Sequence, residues 1–135
     1  MSGENEKAKP APEIGAIEST GEHEGEIYGG IFPADNGPIW FTPLAPKVMS
    51  HFEAAAWARH TGGRLPNNAQ GEYLSSLKDK GAFRDLFNSG SSSSGYFWLA
   101  EYDGFYRTAG VEWFADGRQG HMMRHDELNT LSVRR

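Results

Sequence analysis

The amino-acid sequence predicts an α+β domain built from an N-terminal β-hairpin, two helices and C-terminal antiparallel strands. Apolar segments of strand length lie at both ends of the folded part, and two stretches with helix-capping residues lie between them. Strands, then helices, then strands along a chain favour α+β over an alternating α/β fold. The 17 glycines and 7 prolines indicate many turns and short elements.

The chain's charge divides it into a tail and a body. Its 135 residues suffice for one domain with a core. The formal charge of −5 is that of residues 1–27, because residues 28–135 hold 11 acidic and 11 basic side chains. We therefore predict a disordered acidic tail over residues 1–25, or a docking peptide that orders on a partner, and a folded domain over 26–135. The balanced body shows no basic stripe, so nucleic acid is not an expected partner.

Composition also excludes several classes of protein. The chain has no cysteine, which rules out a disulfide framework, thiolate metal sites and a cysteine nucleophile. No apolar run approaches the ~18 residues that span a membrane, and the N-terminus lacks the order of a secretory signal. We expect no membrane insertion, and a protein that is cytoplasmic or part of a phage particle (virion).

The first strands form a predicted hairpin. Residues 26–32 (EIYGGIF) and 38–44 (PIWFTPL) flank PADNG, and the pair Asn36-Gly37 suits a turn that needs positive φ.

The first helix is predicted from its capping box, Ser50 followed by Glu53. Phe52 and the alanines at 55 and 56 share a helical spacing with Arg59, and we expect Phe52 and these alanines to face the core. Gly62 and Gly63 end the helix.

A second helix follows the extended step Leu65-Pro66. Asn67 or Asn68 caps it, and it runs to about residue 80 with an apolar stripe of Tyr73, Leu74 and Leu77. Residues 81–88 (GAFRDLFN) predict at most a short third turn, and 89–95 (SGSSSSG) a flexible loop.

The sequence of the last forty residues predicts short strands at 96–102, 106–115, 118–124 and 130–135. Asp116-Gly117 is the strongest hairpin signal in the chain, between the second and third of these strands.

Two motifs carry a family resemblance. GGRLPNNAQGEY (62–73) resembles a segment of the formylglycine-generating-enzyme branch of the C-type-lectin fold. FWLAEY (97–102), VEWFADGRQ (111–119) and SVRR (132–135) resemble the pattern of domains similar to the C-terminal part of the Legionella collagen-like adhesin, and of related short phage and prophage proteins. The resemblance covers residues 26–135.

The resemblance implies structural roles for several residues. Arg64, between Gly63 and Pro66 of the helix-entry motif, would pair with a carboxylate or backbone carbonyls and pin the loop between the helices. Trp98 and Trp113 would be core aromatics on neighbouring strands. Gly117 would make the turn between strands.

The sequence also departs from these relatives. The oxygen-using enzymes of that branch need cysteines at a copper site, and the Glu-Pro-Asn, Gln-Pro-Asp and Trp-Asn-Asp motifs of calcium-dependent lectins do not occur here. We therefore expect no cofactor.

Two groups of side chains are candidates for chemistry. His121 and His125, beside Asp126 and Glu127, have a spacing that holds zinc on a helix, but a strand would not bring the two rings together, so we expect exposed polar residues and no metal. Glu101, Asp103 and Glu112 are near one another in the sequence and could form a carboxylate pair of the glycosidase type, but nothing in the sequence indicates a pocket or a perturbed pKa there. We expect no enzymatic activity.

The segment 101–125 is instead rich in side chains suited to recognition. The candidate ligand-binding residues are Glu101, Tyr102, Tyr106, Gln119, His121 and Met123. We expect a non-catalytic binding module of phage or prophage type that displays its C-terminal strands and loops to a protein or glycan. The alternative is a phage assembly protein that binds another subunit through the same face or the tail, and homo-oligomerisation stays open.

Overall fold

The computed structural model describes residues 12–103 and 107–135. Within them, three helices separate an N-terminal hairpin from the C-terminal strands, and the strands form two antiparallel sheets. The predicted α+β class is confirmed. The elements are β1 (Ile27–Phe32), β2 (Gly37–Phe41), α1 (His51–His60), α2 (Asn68–Ser76), α3 (Ala82–Ser93), β3 (Tyr96–Asp103), β4 (Thr108–Trp113), β5 (Gln119–Met123) and β6 (Val133–Arg134).

The first sheet has the order β1-β2-β6 and joins the two ends of the domain. Its hairpin turns where the sequence predicts, with Asn36 in the left-handed region at a φ of 58°. The last strand returns to pair with β2, so that Trp40 lies opposite Arg134.

The second sheet has the order β3-β4-β5. Gly117 adopts a φ of 74° in the turn between β4 and β5, and the last pair before that turn is Glu112 opposite Gln119. The pairing continues to Thr108 opposite Met123, which brings the far ends of the two strands together.

Residues 12–25, expected in a disordered tail, are hydrogen-bonded to the body. The amide of Gly15 donates to the carbonyl of Tyr28 (2.8 Å), and Ile17 forms a bridge with Ile27. Backbone hydrogen bonds to the outer strand β1 order this glutamate-rich segment, because they satisfy its amide and carbonyl groups. Hydrogen-bonded structure therefore begins before the expected boundary at Glu26, while the prediction for residues 1–11 lies outside the described residues.

Two apolar clusters fill the interior. One lies between the sheets and α2 and α3, around Phe41, Phe83 and Phe114, and the other lies between α1 and the second sheet, around Trp98. Trp98 is fully buried and its Nε1 donates to the carbonyl of Met49 at 2.8 Å. Trp113, expected in the core, is only half-buried, because it lies at the end of β4.

Helix α1 has the predicted capping box but turns a different face to the core. The side chain of Ser50 accepts from the amide of Glu53, and the Glu53 carboxylate accepts from the amide of Ser50. His51, Ala54 and Ala58 are buried, whereas Phe52 is 81% exposed. The expectation that Phe52, Ala55 and Ala56 face the core was wrong for Phe52 and Ala56, which are exposed, while Ala55 is half-buried. The small side chains of Ala54 and Ala58 fit the close approach of α1 to the sheet instead.

Helix α2 begins at a second capping box, between Asn67 and Gln70, and buries Leu74. It ends at Ser76 and not near residue 80 as predicted, with Leu77 buried at its C-cap. Helix α3 corrects the sequence-based reading of residues 81–95, because it continues through Ser93 where a loop was expected. Tertiary contacts explain this: Gly90 packs against the Phe114 ring, and the Asn129 amide donates to the Gly90 carbonyl (3.3 Å). Across the part of the chain described here, no helix combines the length and apolar character that crossing a membrane requires.

Candidate functional site

A cleft lies between α1 and the open end of the β4–β5 hairpin, and we call it the arginine cleft. It encloses about 700 Å³. Its lining residues are Ser50, His51, Phe52, Ala55, Arg59, Tyr102, Arg107, Arg124 and His125.

Hydrogen bonds of the backbone hold the cationic residues around the cleft. The amide of Arg124 donates to the carbonyl of Arg107 (3.0 Å), and the amide of His51 donates to the carbonyl of Arg124 (2.9 Å). Arg107 adopts a φ of 56°, a conformation that few residues other than glycine adopt. The start of α1 and the end of the hairpin are thereby joined, and Arg59 projects from the last turn of α1.

The cleft is cationic. Among the described residues, no ion pair involves the guanidinium groups of Arg59, Arg107 or Arg124. The Arg124 group lies 5.1 Å from the centre of the Tyr102 ring, within cation–π range. No lining residue is acidic, so the cleft offers a concentrated positive field to a ligand.

Two aromatic side chains stand at this cleft with large exposed surfaces. Phe52 is 81% and Tyr102 is 61% exposed. Each leaves apolar area in water that a bound ligand could cover, and large aromatic groups beside arginine are frequent anchors of interfaces.

His51 is buried at the base of the cleft, and its ring is uncharged at pH 7. Its Nε2 lies 3.0 Å from the carbonyl oxygen of Leu99, so this nitrogen is the donor, and its ring is 5.2 Å from that of Trp98. Burial lowers the pKa of His51, and the charge of Arg124 lowers it further, against the opposing effect of the Leu99 hydrogen bond. The ring is therefore neutral at pH 7.

A second cleft of about 660 Å³ continues the arginine cleft across α1, with Ala55 and Arg59 lining both. It is also lined by Arg64, Leu65 and Ala100. Arg64 was expected to pin the loop through its side chain, but it does so through its backbone: its amide donates to the Val133 carbonyl (3.0 Å), and the Val133 amide donates back (2.7 Å). Its guanidinium is exposed and makes no hydrogen bond or ion pair with any described residue.

A third, smaller cleft lies on the other face of the second sheet, and we call it the glutamine cleft. It encloses about 270 Å³. Its lining residues are Asn68, Glu101, Gly110, Gln119, Gly120 and His121. Glu101 accepts a hydrogen bond from the amide of Asn68 (3.1 Å), the first residue of α2, and the Gln119 side chain donates to the Asn68 carbonyl (2.7 Å).

Beside the glutamine cleft, Glu112 is fully buried. Its carboxylate accepts hydrogen bonds from the Ser75 hydroxyl and from Nε2 of Gln119 (2.8 Å). Burial raises the pKa of Glu112 to about 7, with a smaller contribution from the charge of Glu72, while the two hydrogen bonds act in the opposite direction. This carboxyl group is inaccessible, and its hydrogen bonds tie α2 to the end of β4.

The structure separates the five predicted ligand-binding residues that it describes. Glu101, Gln119 and His121 converge on the glutamine cleft, Tyr102 lies in the arginine cleft, and Met123 is 40% exposed at the end of β5. Tyr106 lies outside the described residues.

The two histidines considered as metal ligands also lie in different clefts. His121 lines the glutamine cleft and His125 the arginine cleft. In residues 12–103 and 107–135, no group of three or more histidine, aspartate or glutamate side chains is arranged to hold a metal ion.

The sequence analysis did not assign Phe52, Arg59 or Arg124 to a site, and Arg107, which lies in the segment suited to recognition, was not among its candidate ligand-binding residues. Arg107 and Arg124 lie opposite one another only in the observed hairpin register, with Glu112 opposite Gln119. A two-residue loop at Asp116-Gly117 would have paired Arg107 with Asp126. The sequence therefore indicates the hairpin, but it does not indicate the loop length that places Arg107 opposite Arg124.

Comparison with known proteins gives little further information. No protein-family profile matches the chain, and no similar curated protein is found. Among solved structures, the chain is similar to TC14, a C-type lectin from the tunicate Polyandrocarpa misakiensis, at 6% identity and a TM-score of 0.45, over 72% of this chain and 98% of that one. A likeness this distant transfers no function.

Proposed function

We propose that this chain is a non-catalytic binding module that recognises its ligand at the surface formed by α1 and the C-terminal strands. The observation that carries the proposal is the arginine cleft, where three arginines without ion pairs in the described structure accompany two exposed aromatic rings. Such a combination suits recognition, because arginine and large aromatic groups supply most of the binding energy at interfaces. A rigid scaffold of two sheets and capped helices suits the same role.

The proposal includes a phage or prophage origin of the C-type-lectin-like, adhesin type, with the protein acting in the cytoplasm or on the virion. It is supported by the motifs at 62–73, 97–102, 111–119 and 132–135. A catalytic role is not part of the proposal, since the fully buried Glu112 is not available to a substrate.

The direct test is a search for ligands with the full-length protein on a glycan array and on a displayed random peptide library. We expect a ligand whose binding is weakened about tenfold in Tyr102→Ala but kept in Tyr73→Phe, an exchange that leaves an aromatic ring on α2 away from the cleft. If neither search yields a ligand that depends on Tyr102, the proposed function is wrong.

An assembly role is the second candidate, favoured by exposed isoleucines near the N-terminus. Ile17 is 58% and Ile31 is 49% exposed, on or beside the outer strand β1. Exposed apolar side chains of this kind often mark subunit contacts. Light scattering on the full-length protein and on the variant Ile17→Ser/Ile31→Ser tests it: an oligomer that dissociates in the variant supports assembly, and a monomer in both argues against it.

A further inference from the structure

The arginine cleft is rich in hydrogen-bond donors and poor in free acceptors. A guanidinium group carries donors only. The Ser50 hydroxyl is engaged with Glu53 in the capping box. Because Nε2 of His51 donates to the Leu99 carbonyl, that ring offers only Nδ1 as an acceptor. A ligand seated here must therefore supply the acceptors, and an anionic group does so most strongly.

The nearby acidic side chains do not fill this need. Glu53 is held at the start of α1 by Ser50, and Asp126 lies 3.9 Å from Nε2 of His125. Since Arg59 and Arg124 form no ion pair within the described structure, their charges remain available. Carboxylates fit the planar fork of arginine with two parallel hydrogen bonds.

The shape of the surface points to an extended ligand. The arginine cleft and its neighbour share Ala55 and Arg59, and together they run from Arg124 to Arg64 across α1. Apolar surface accompanies the charges along this path, at the exposed Phe52 in the arginine cleft and at the exposed Ala100 in its neighbour. A ligand that fits would carry anionic groups and apolar groups in turn.

We infer that this continuous groove binds an extended acidic peptide segment, with carboxylates on Arg59 and Arg124 and an apolar side chain against Phe52. The inference rests on the proposed binding function and adds the class of ligand. A long polyanion, which carries a charge at every repeat, fits less well, because Phe52 and Ala55 give the groove uncharged surface beside its arginines.

The test begins with selection of a random linear peptide library on the full-length protein. We expect enrichment of Asp and Glu beside a large apolar residue. A selected peptide and its twin with Asn and Gln in place of the acids are then compared by fluorescence anisotropy. The acidic peptide should bind at least about tenfold more tightly, and the difference should shrink between about 50 mM and about 500 mM salt.

Variants of the protein locate the contact. Arg59→Gln/Arg124→Gln should weaken binding of the selected peptide at least about tenfold, since charged hydrogen bonds are lost. Lys78→Gln/Lys80→Gln removes the same charge from exposed positions after α2 and should leave binding unchanged. Phe52→Ser should weaken binding while the circular dichroism spectrum stays that of the wild type, because Phe52 is exposed.

Three outcomes would overturn the inference: selected peptides without acidic residues, equal loss of binding in the lysine variant, or binding only to a sulfated heparin oligosaccharide or a single-stranded DNA oligonucleotide. In each case a ligand that still depends on Tyr102 would leave the proposed binding function standing. The absence of any peptide, glycan or nucleic-acid ligand would remove both.

Discussion

The guanidinium group of Arg124 lies 5.1 Å from the centre of the Tyr102 ring, at the end of one strand and on the face of another. The Tyr102 ring is in turn 6.0 Å from that of His51, whose backbone amide donates to the Arg124 carbonyl. Three elements distant in the sequence thus meet around one exposed ring. This relationship fixes the position of the charge and of the aromatic surface in the arginine cleft.

Replacing Tyr102 by alanine should impair binding without unfolding the protein. The ring is 61% exposed, so its loss costs little stability, whereas a ligand loses both the ring and the orientation it gives Arg124. We expect affinity for a selected ligand to fall by about 1–2 kcal/mol. Tyr102→Phe keeps the ring and should bind nearly as the wild type does. A large drop in the melting temperature of Tyr102→Ala would contradict this role.

Replacing Phe52 should leave stability unchanged, in contrast to the sequence-based expectation of a core residue. Because the side chain is 81% exposed, Phe52→Ser should alter the free energy of unfolding by no more than about 0.5 kcal/mol. Ala54→Leu, at a fully buried position of the same helix, should destabilise by about 1–3 kcal/mol. Urea denaturation of the two variants measures the contrast, and a Phe52→Ser cost as large as that of Ala54→Leu would place the ring in the core.

Glu112 should make stability depend on pH. Its folded-state pKa of about 7 lies above the value of 4.5 that it has when unfolded. The folded protein therefore favours the protonated form of Glu112. The resulting stabilisation of the folded state is fully present below pH 4.5 and is lost as the pH rises towards about 7. The full difference is about 3 kcal/mol.

The variant Glu112→Gln isolates this effect. Its free energy of unfolding, measured against that of the wild type at each pH, should become relatively more favourable as the pH rises from 4.5 to 7. The comparison is needed because His51, with a lowered pKa, acts oppositely and loses stability as the pH falls below 6.5. Glu72→Gln removes an exposed carboxylate nearby and should retain most of the wild-type slope. A wild-type slope in Glu112→Gln would mean that Glu112 does not titrate in this range.

Gly90 should be indispensable to the serine-rich end of α3. A methyl group at this position would overlap the Phe114 ring, which is buried. Gly90→Ala should therefore destabilise by about 1–3 kcal/mol, despite the better helix propensity of alanine. Ser91→Ala, on the exposed side of the same helix, should be neutral or slightly stabilising. The melting temperatures of both variants test this prediction. A Gly90→Ala variant more stable than the wild type would argue against a helix packed on the core through residue 93.

Local chemistry made much of the fold predictable. The capping box of Ser50 and Glu53 and the turns at Asn36 and Gly117 depend on a few neighbouring residues, and the sequence analysis found them. The serine-rich stretch after Asn88 was not predictable in this way. Its helix is held by distant partners, Phe114 and Asn129, whose contacts outweigh the low helix propensity of glycine and serine.

The candidate site was harder to predict than the fold. Sequence proximity suggested that Glu101 to Met123 would act together, but alternation along the strands sends Glu101 to the glutamine cleft and Tyr102 to the arginine cleft. The sequence does not indicate the cationic groove, because residues 28–135 have balanced charges and Arg59, Arg64 and Arg124 come from three separate segments. Only the packing of α1 against the second sheet brings them onto one surface.

The most direct measurement is mapping of backbone amide chemical shifts in full-length protein titrated with a ligand selected in solution. If the arginine cleft is the binding site, the largest changes will occur at His51 and Phe52 in the first turn of α1, at Tyr102, and at Arg124 and His125 after β5. Changes centred instead on Asn68, Gln119 and His121 would place binding in the glutamine cleft and contradict the central claim.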